Sequence, residues 1–279
     1  MELFARSPYW LATLLLLVIV ELIWRLRTKR GYDGRAALAS IGLLLGNVPF
    51  ALLNGAIIGS VALGVAALAP VQWPLYDWRS WVAGFLAFEF AYYWFHRANH
   101  RMRWLWASHR VHHSSEQLTL LASIRLGWTN GISFGWAFYL PLLIAGCPPV
   151  MVAVLRAFDL RYQFFLHTEA VGKLGLFEWV LNTPSHHRVH HASNEGYIDR
   201  NYGGVLILFD RLFGTFAAER ADEPPRYGLI GHETSHNPIH ISFEEWRLML
   251  RDACRTRRLR EKIAVLVAPP DARPVTGDA

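Results

Sequence analysis

Apolar residues come in long blocks along this chain, and each block ends in charge, proline or histidine. The first block, Tyr9 to Trp24, predicts a membrane-entering helix, and a basic stretch of Arg25, Arg27, Lys29, Arg30 and Arg35 follows it. Basic residues flanking a span mark its cytoplasmic side, which places the N-terminus outside. The block has no basic segment before it and no small-residue cleavage site, so it reads as an uncleaved anchor. From Ala36 to Pro70 no charge interrupts the apolar sequence. At about 1.5 Å per residue this is too long for one simple crossing of a core about 30 Å thick. A break is therefore expected at Pro49 or Gly55, giving one crossing plus a re-entrant or interfacial piece. Trp81 to Phe95 is the next span and delivers His96 to the cytoplasmic face. Gly127 to Leu166, interrupted at Cys147-Pro148-Pro149, reads as a helical hairpin that returns His167 to that same face.

Beyond His167 the pattern changes. Residues 170–240 read as a cytoplasmic cap, with turns at Asn182-Thr183-Pro184-Ser185 and at Gly203-Gly204. Residues 242–266 are Arg-rich and intermittently apolar, a surface helix lying on anionic head groups or simply a charged helix in water. The end from Ala268 reads as disordered. The expected fold is an all-α integral membrane protein with about four to five membrane-crossing or re-entrant helices and a cytoplasmic helical cap. Its parts are N-terminal membrane helices over 1–79, a histidine-bearing domain over 80–240, and a basic helix with a flexible tail over 241–279.

Composition supports a polytopic membrane protein, since 53% of the 279 residues are hydrophobic and 12 are Trp. The net charge of +6 resides in residues that flank apolar runs, which argues against a nucleic-acid-binding module. Two cysteines far apart, Cys147 and Cys254, make neither a disulfide framework nor a thiolate cluster.

The chemistry lies in the histidines, of which there are 13. His96 and His100 are one helical turn apart. His109, His112 and His113 form an H-x2-H-H trio, as do His187, His190 and His191, and His167 closes the hairpin. Imidazole is the commonest nitrogen ligand for transition metals. A trio can straddle two ions, with i and i+3 on one and i+4 on its neighbour, and the His96/His100 pair can straddle likewise. Two ions of four or five ligands each would use all nine. Burying so many rings without partners would be costly, and metal binding satisfies them together. All-imidazole ligation suits Fe, Zn, Cu or Ni. The H-E-x-x-H string of a zinc protease occurs only as His232-Glu233-Thr234-Ser235-His236, which reads as a loop rather than the helix that chemistry needs. His232, His236 and His240 are also four apart but follow Gly231 in a loop with Pro238, and read as surface histidines. His186 is a candidate outer donor or substrate contact. Glu116, Glu169 and Asp199 are candidate acids for orienting imidazoles. Glu89 lies inside an apolar span, where a carboxylate is functional by default, two turns before His96 and on one stripe with Tyr93. It reads as a polar wire or anchor beneath the metals, or else as the partner of another helix.

Two stretches carry a resemblance. They are Tyr92-Tyr93-Trp94-Phe95-His96-Arg97-Ala98-Asn99-His100 with His109 to Glu116, and Asn182 to His191 with Asp199-Arg200-Asn201-Tyr202-Gly203-Gly204 and Phe213-Gly214-Thr215-Phe216. They resemble the fatty acid hydroxylase/sterol desaturase superfamily over about residues 80–240. His167-Thr168-Glu169 and Tyr227-Gly228-Leu229 look nearest its alkylglycerol monooxygenase-like branch. The resemblance implies an integral-membrane di-iron oxygenase of a bacterial inner membrane, with its active site on the cytoplasmic face. It would use two Fe ions and O2 to hydroxylate a lipid or sterol C–H bond, or to desaturate one with the same centre. By that match His96, His100, His109, His112, His113, His187, His190 and His191 are ligands, and His167 is a further one. Some members carry a histidine four residues before it; here Gln163 stands there, which implies a water or an open position at one metal. Asn201 falls inside the matched string and joins the residues expected near the site. No electron-transfer domain or dinucleotide loop is seen in the chain, so electrons are expected from a separate donor: a reductase, a cytochrome or ferredoxin, or a pterin. The rival class is a non-catalytic, histidine-rich membrane protein that binds or transports metal. Transport would require polar residues through several spans, as Glu89 and Asp159 are, whereas the histidines gather at one depth.

Overall fold

The computed structural model describes residues 8–232 and 235–270, and most of the expected flexible tail lies outside them. Every regular element among the described residues is helical; the only strand-like features there are three isolated bridges, Leu181 to Leu206, Ala192 to Tyr227 and Arg220 to Glu223.

α1 spans Pro8–Arg27 and α2 spans Gly34–Ala66. Asp33 starts α2 by accepting from the backbone N–H groups of Arg35 and Ala36. Its 33 residues make one unbroken helix about 50 Å long. The expected break at Pro49 or Gly55 does not occur. Proline removes one backbone hydrogen bond, and helices in apolar surroundings tolerate this where neighbouring groups or small local adjustments satisfy the freed carbonyl. Among the described residues α2 alone is long and apolar enough to cross a membrane by length and composition. α1 and α2 turn apolar side chains outward, among them Leu15, Leu16, Ile19, Leu45, Leu52 and Leu53.

α3 spans Trp78–Arg101, capped by Asp77, and α4 spans Arg103–His113. The single residue between them, Met102, is extended, making an elbow that folds α4 back beside the end of α3. The hairpin after α4 is only half regular. Its outgoing limb is broken into α5 (Asn130–Ser133), a 3-10 turn over Gly135–Tyr139 and α6 (Leu140–Ile144), with Phe134 in a left-handed conformation. The expected turn at Cys147-Pro148-Pro149 is present, and α7 (Pro149–Leu166) is continuous. α3, the 3-10 turn, α6 and α7 share a core of Phe88, Ala91, Tyr92, Tyr139, Leu142, Met151 and Leu155. Gly84 permits the close approach, since a Cβ there would meet Met151 Sδ at 2.7 Å.

The segment 170–240 carries α8 (Pro184–His190) and α9 (Leu208–Leu212). The basic segment forms α10 (Pro238–Arg255) and α11 (Leu259–Val267). α10 turns Ile241, Trp246 and Met249 inward, and Trp246 and Met249 pack with Ala107 of α4 and Val265 of α11. Ala268 is tied to α4, its carbonyl accepting from Arg103 N–H.

Candidate metal centre

The elbow at Met102 and the end of α7 bring three helical segments and one loop histidine to a single place. His96, His100, His109, His113 and His190 form one group; His112, His167, His187 and His191 form the other. Within each group the ligand nitrogens lie within 4.8 Å of one another. The partition differs from the expected straddle. In both trios i and i+4 share a group and i+3 goes to the other: His109 with His113 against His112, and His187 with His191 against His190. At about 100° per residue, i+4 lies about 40° from i, whereas i+3 lies about 60° away on the other side. His96 and His100 share one group for the same reason.

Ring orientation is set from behind by main-chain carbonyls. His96 Nδ1 donates to Tyr202 O at 2.8 Å, His167 Nδ1 to Gln163 O at 2.7 Å, and His190 Nδ1 to Arg200 O at 3.0 Å. A carbonyl only accepts, so each Nδ1 carries the proton and each Nε2 presents a lone pair. Those Nε2 atoms face one another: His96 to His109 at 3.1 Å, His167 to His112 and to His187 at 3.0 Å, and His187 to His191 at 3.1 Å. His100 Nε2 and His190 Nε2 are buried without any partner. Nitrogens bound about 2.1 Å from one ion and at right angles lie about 3.0 Å apart, so the spacing fits a shared cation. Burial, with neighbouring imidazoles adding to it, holds His113, His187 and His191 well below their usual pKa. His190 is pushed down to about 4 by burial, and His109 to about 3 by burial, His190 and Arg156. Neutral imidazole is the ligating form.

The acids expected to orient imidazoles take other partners. Glu169 accepts from Arg25 at 2.7 Å and lies 3.5 Å from Arg30, tying the end of α1 to the segment after His167. Glu116 is exposed beside Gly228. Asp199 pairs with Arg101, with His100 Nδ1 3.7 Å away, beyond hydrogen-bond reach. Glu89 accepts from Val205 and Leu206 N–H at 2.8 and 2.7 Å, clamping the loop whose Tyr202 carbonyl holds His96. It thus anchors the site through backbone rather than as a wire. Tyr93 hydrogen-bonds Thr215 and Arg97, and no imidazole. Asn201, left-handed with φ of 56°, donates to His186 O and Ala217 O and accepts from Ala217 N–H. His186 stands outside both groups, edge-on to Phe216 and 3.9 Å from Glu178. His232, His236 and His240 also lie outside, near Glu244 and Asp33. The Gln163 amide is engaged away from the imidazoles: it accepts from Tyr92 OH at 2.9 Å and donates to Asp159 at 2.8 Å.

Several contributors were missed. Asp210 accepts from Tyr202 and Gly203 N–H, supporting the same loop. Arg125, buried, joins Ser40 of α2 to Ser114 at the end of α4. Glu21 accepts from Leu120 N–H and Thr168 OH. Glu21 and Arg156 are charges inside apolar blocks, the signal that drew attention to Glu89; nothing local marks the carbonyls.

A cavity of about 740 Å³ follows α7 from Pro149 to His167, about 27 Å of helix rise. Leu44, Ile58, Leu63, Phe88, Leu140 and Val150 line it, and His109, His112 and His167 open onto it.

The fatty acid hydroxylase family profile matches residues 81–215, a range that contains every histidine of both groups. Alkylglycerol monooxygenase of Xenopus tropicalis is 35% identical over 264 residues, 95% of this chain and 58% of that protein. The Danio rerio alkylglycerol monooxygenase is 52% identical over 169 residues, 61% of this chain and 35% of that protein. An ornithine lipid hydroxylase of Rhizobium tropici is 29% identical over 157 residues, 56% of this chain and 45% of that protein. The chain spans about half the length of the relatives it matches. No solved structure matches it. With the histidine strings inside the matched range and these relatives alongside, the chain belongs to the fatty acid hydroxylase/sterol desaturase superfamily, on its alkylglycerol monooxygenase-like branch.

Proposed function

We propose that the protein is a membrane-bound, non-haem di-iron oxygenase that hydroxylates a C–H bond of a lipid with O2. The observation that carries this reading is the apolar cavity that opens onto His109 of one histidine group and His112 and His167 of the other. A hydrocarbon chain laid along α7 meets both groups at once. The names of the relatives point to alkylglycerols and ornithine lipids as substrate classes.

In this reading all nine histidines are ligands, five at one iron and four at the other, and the four-histidine position is the ligand-poor one beside the cavity. Bound there, the two irons supply the activation of O2 and the removal of hydrogen from an unactivated C–H bond. The carbonyls of Tyr202, Arg200 and Gln163 hold imidazole rings in the ligating tautomer. The apolar wall excludes water and holds the chain against His112 and His167. The protein lies in a bacterial inner membrane with about four to five membrane-crossing or re-entrant helices, the histidines on the cytoplasmic face and the N-terminus outside. A separate donor delivers electrons there.

Metal analysis of the purified protein tests the centre. We expect two irons per chain, with His112→Ala and His190→Ala each lowering occupancy. Affinity at the affected position should fall at least about 10–100-fold, the scale of losing a mere supporting partner. Unchanged iron in both variants would refute the assignment. Lipid profiling of cells with and without the gene identifies the product, and an alkene in place of an alcohol would move the reading to desaturation.

A further inference from the structure

Two arginines line the cavity, and they differ in what they have left to offer. Arg125 is buried and engaged: its Nε, Nη1 and Nη2 donate to Ser40 Oγ, Ser114 Oγ and Ala36 O. Arg156 is 37% exposed, and among the described residues its one hydrogen bond runs from Nη1 to Asp159 Oδ2 at a long 3.3 Å. That carboxylate oxygen already accepts from Gln163 at 2.8 Å. A guanidinium carries five N–H donors in a fixed fork, so most of those on Arg156 have no protein acceptor. A charge inside an apolar helix is expensive and marks function unless it is fully paired.

The guanidinium lies over the rings of Tyr92 and Phe95, at 6.0 and 5.8 Å. Those residues sit in the last turns of α3 before the histidines, and Tyr92 is edge-on to His96 at 5.4 Å. Arg156 therefore meets the cavity towards its histidine end, while the walls at Ile58, Leu63 and Val150 carry hydrocarbon alone.

We propose that Arg156 is a substrate-positioning residue: its unpaired N–H donors bind an acceptor oxygen on the polar end of the lipid, and the hydrocarbon tail fills the apolar remainder of the cavity. The ligand class is a lipid with an ether, hydroxyl or ester oxygen at one end, not a bare hydrocarbon. Asp159 holds the fork in place and leaves the pair near neutral, which suits an uncharged acceptor. Gly204 lets Asp159 come this close to the loop, since a Cβ there would meet Asp159 Oδ1 at 2.3 Å.

This inference rests on the cavity being the substrate site of the proposed oxygenase, and a binding experiment separates the two. Radiolabelled 1-O-hexadecylglycerol and radiolabelled hexadecane are bound to the full-length protein in detergent, without reductant, so that no turnover intervenes. We expect the wild type to favour the alkylglycerol. Arg156→Gln should weaken that probe by about tenfold, the worth of a charge-assisted hydrogen bond. Hexadecane binding should stay the same, and Arg156→Lys should recover part of the loss. In turnover Arg156→Gln should raise KM more than it lowers kcat. Equal binding of the two probes by the wild type, or equal weakening of both by Arg156→Gln, would overturn the inference. If Arg156→Gln does not fold, the wild-type comparison and Arg156→Lys still decide. Probe discrimination without oxidation of either lipid would leave Arg156 standing and remove the proposed activity.

Discussion

Single carbonyls and the groups that hold them shape the histidine centre. Tyr202 O fixes His96, and the Tyr202 loop is itself fixed by Glu89 and Asp210, which accept four backbone N–H groups between them. Glu89 is thus two steps from the His96 imidazole, and its effect should be felt as position. Glu89→Leu leaves two buried N–H groups without an acceptor, each costing about 1–3 kcal/mol. We expect a lower melting temperature in detergent together with reduced metal content. Glu89→Gln keeps an acceptor oxygen and should retain most of both. A Leu variant that melts and binds metal like the wild type would show that the loop is held without Glu89. The need for a partner at Glu89 is legible in the sequence; the identity of that partner is not, because it lies 116 residues away in the chain.

Among elements, α4 carries three of the nine histidines and is braced by α10, a helix that reads in sequence as a charged surface feature. Arg110, buried beside His109, pairs with Glu244 and Glu245, and Arg103 pairs with Glu245 and Asp252. Glu245→Leu removes one of two carboxylate partners from each of Arg110 and Arg103, leaving Glu244 and Asp252, so the defect should fall below the about 3–5 kcal/mol of a fully broken buried pair. The expected outcome is a destabilised α4, read as a lower melting temperature and loss of metal from the group containing His109 and His113. Glu245→Gln should fall between. Wild-type stability in Glu245→Leu would mean that apolar packing at Trp246 and Met249 suffices. Elements also show where local rules fail. Pro49 predicts a break that α2 does not make, and a uniform apolar run conceals the broken limb before α7. Periodicity reports apolar surroundings and cannot distinguish a helix from short turns equally buried.

At the scale of the whole molecule, the buried neutral imidazoles link folding to pH. His109 and His190 have folded pKa values of about 3 and about 4, and His113, His187 and His191 are lowered too, against about 6.5 in the unfolded chain. Between these values the unfolded chain binds more protons, so stability rises with pH. It is fully present above about pH 6.5 and is lost as pH falls towards 4. Asp210 acts in the opposite sense, since burial raises it to about 6 and stabilises the fold on acidification, but the lowered histidines outnumber the raised carboxylates. Metal-free protein in detergent should therefore melt progressively lower from pH 6.5 to 4, and bound metal should flatten that dependence by holding the imidazoles neutral. A melting temperature that is flat or rises towards pH 4 would contradict the buried, uncharged state of these rings. Topology belongs to this scale as well. Single cysteines at Arg30, Ala98 and Ser193, in a Cys254→Ser background, should all label from the cytoplasmic side, and external labelling at Ala98 would invert the proposed orientation.

By itself the sequence determined which histidines are candidates to share a metal site and roughly where the helices run. The spacings of His96/His100, of the two trios and of the Cys147-Pro148-Pro149 turn are local, and helix geometry converts local spacing into shared faces. It also determined that charges such as Glu89 need partners, because an apolar block carries its own evidence of environment. Only the tertiary structure decided how the nine histidines divide into five and four. That division depends on the elbow at Met102 and on how α8 lies against α4 and α7, not on spacing alone. It also decided that Gln163 faces Tyr92 and Asp159, that main-chain carbonyls set the ring tautomers, and that a cavity with Arg156 in its wall opens onto the histidines. These are contacts between residues distant in the chain, and backbone carbonyls are common to every residue, so no local pattern of side chains encodes them.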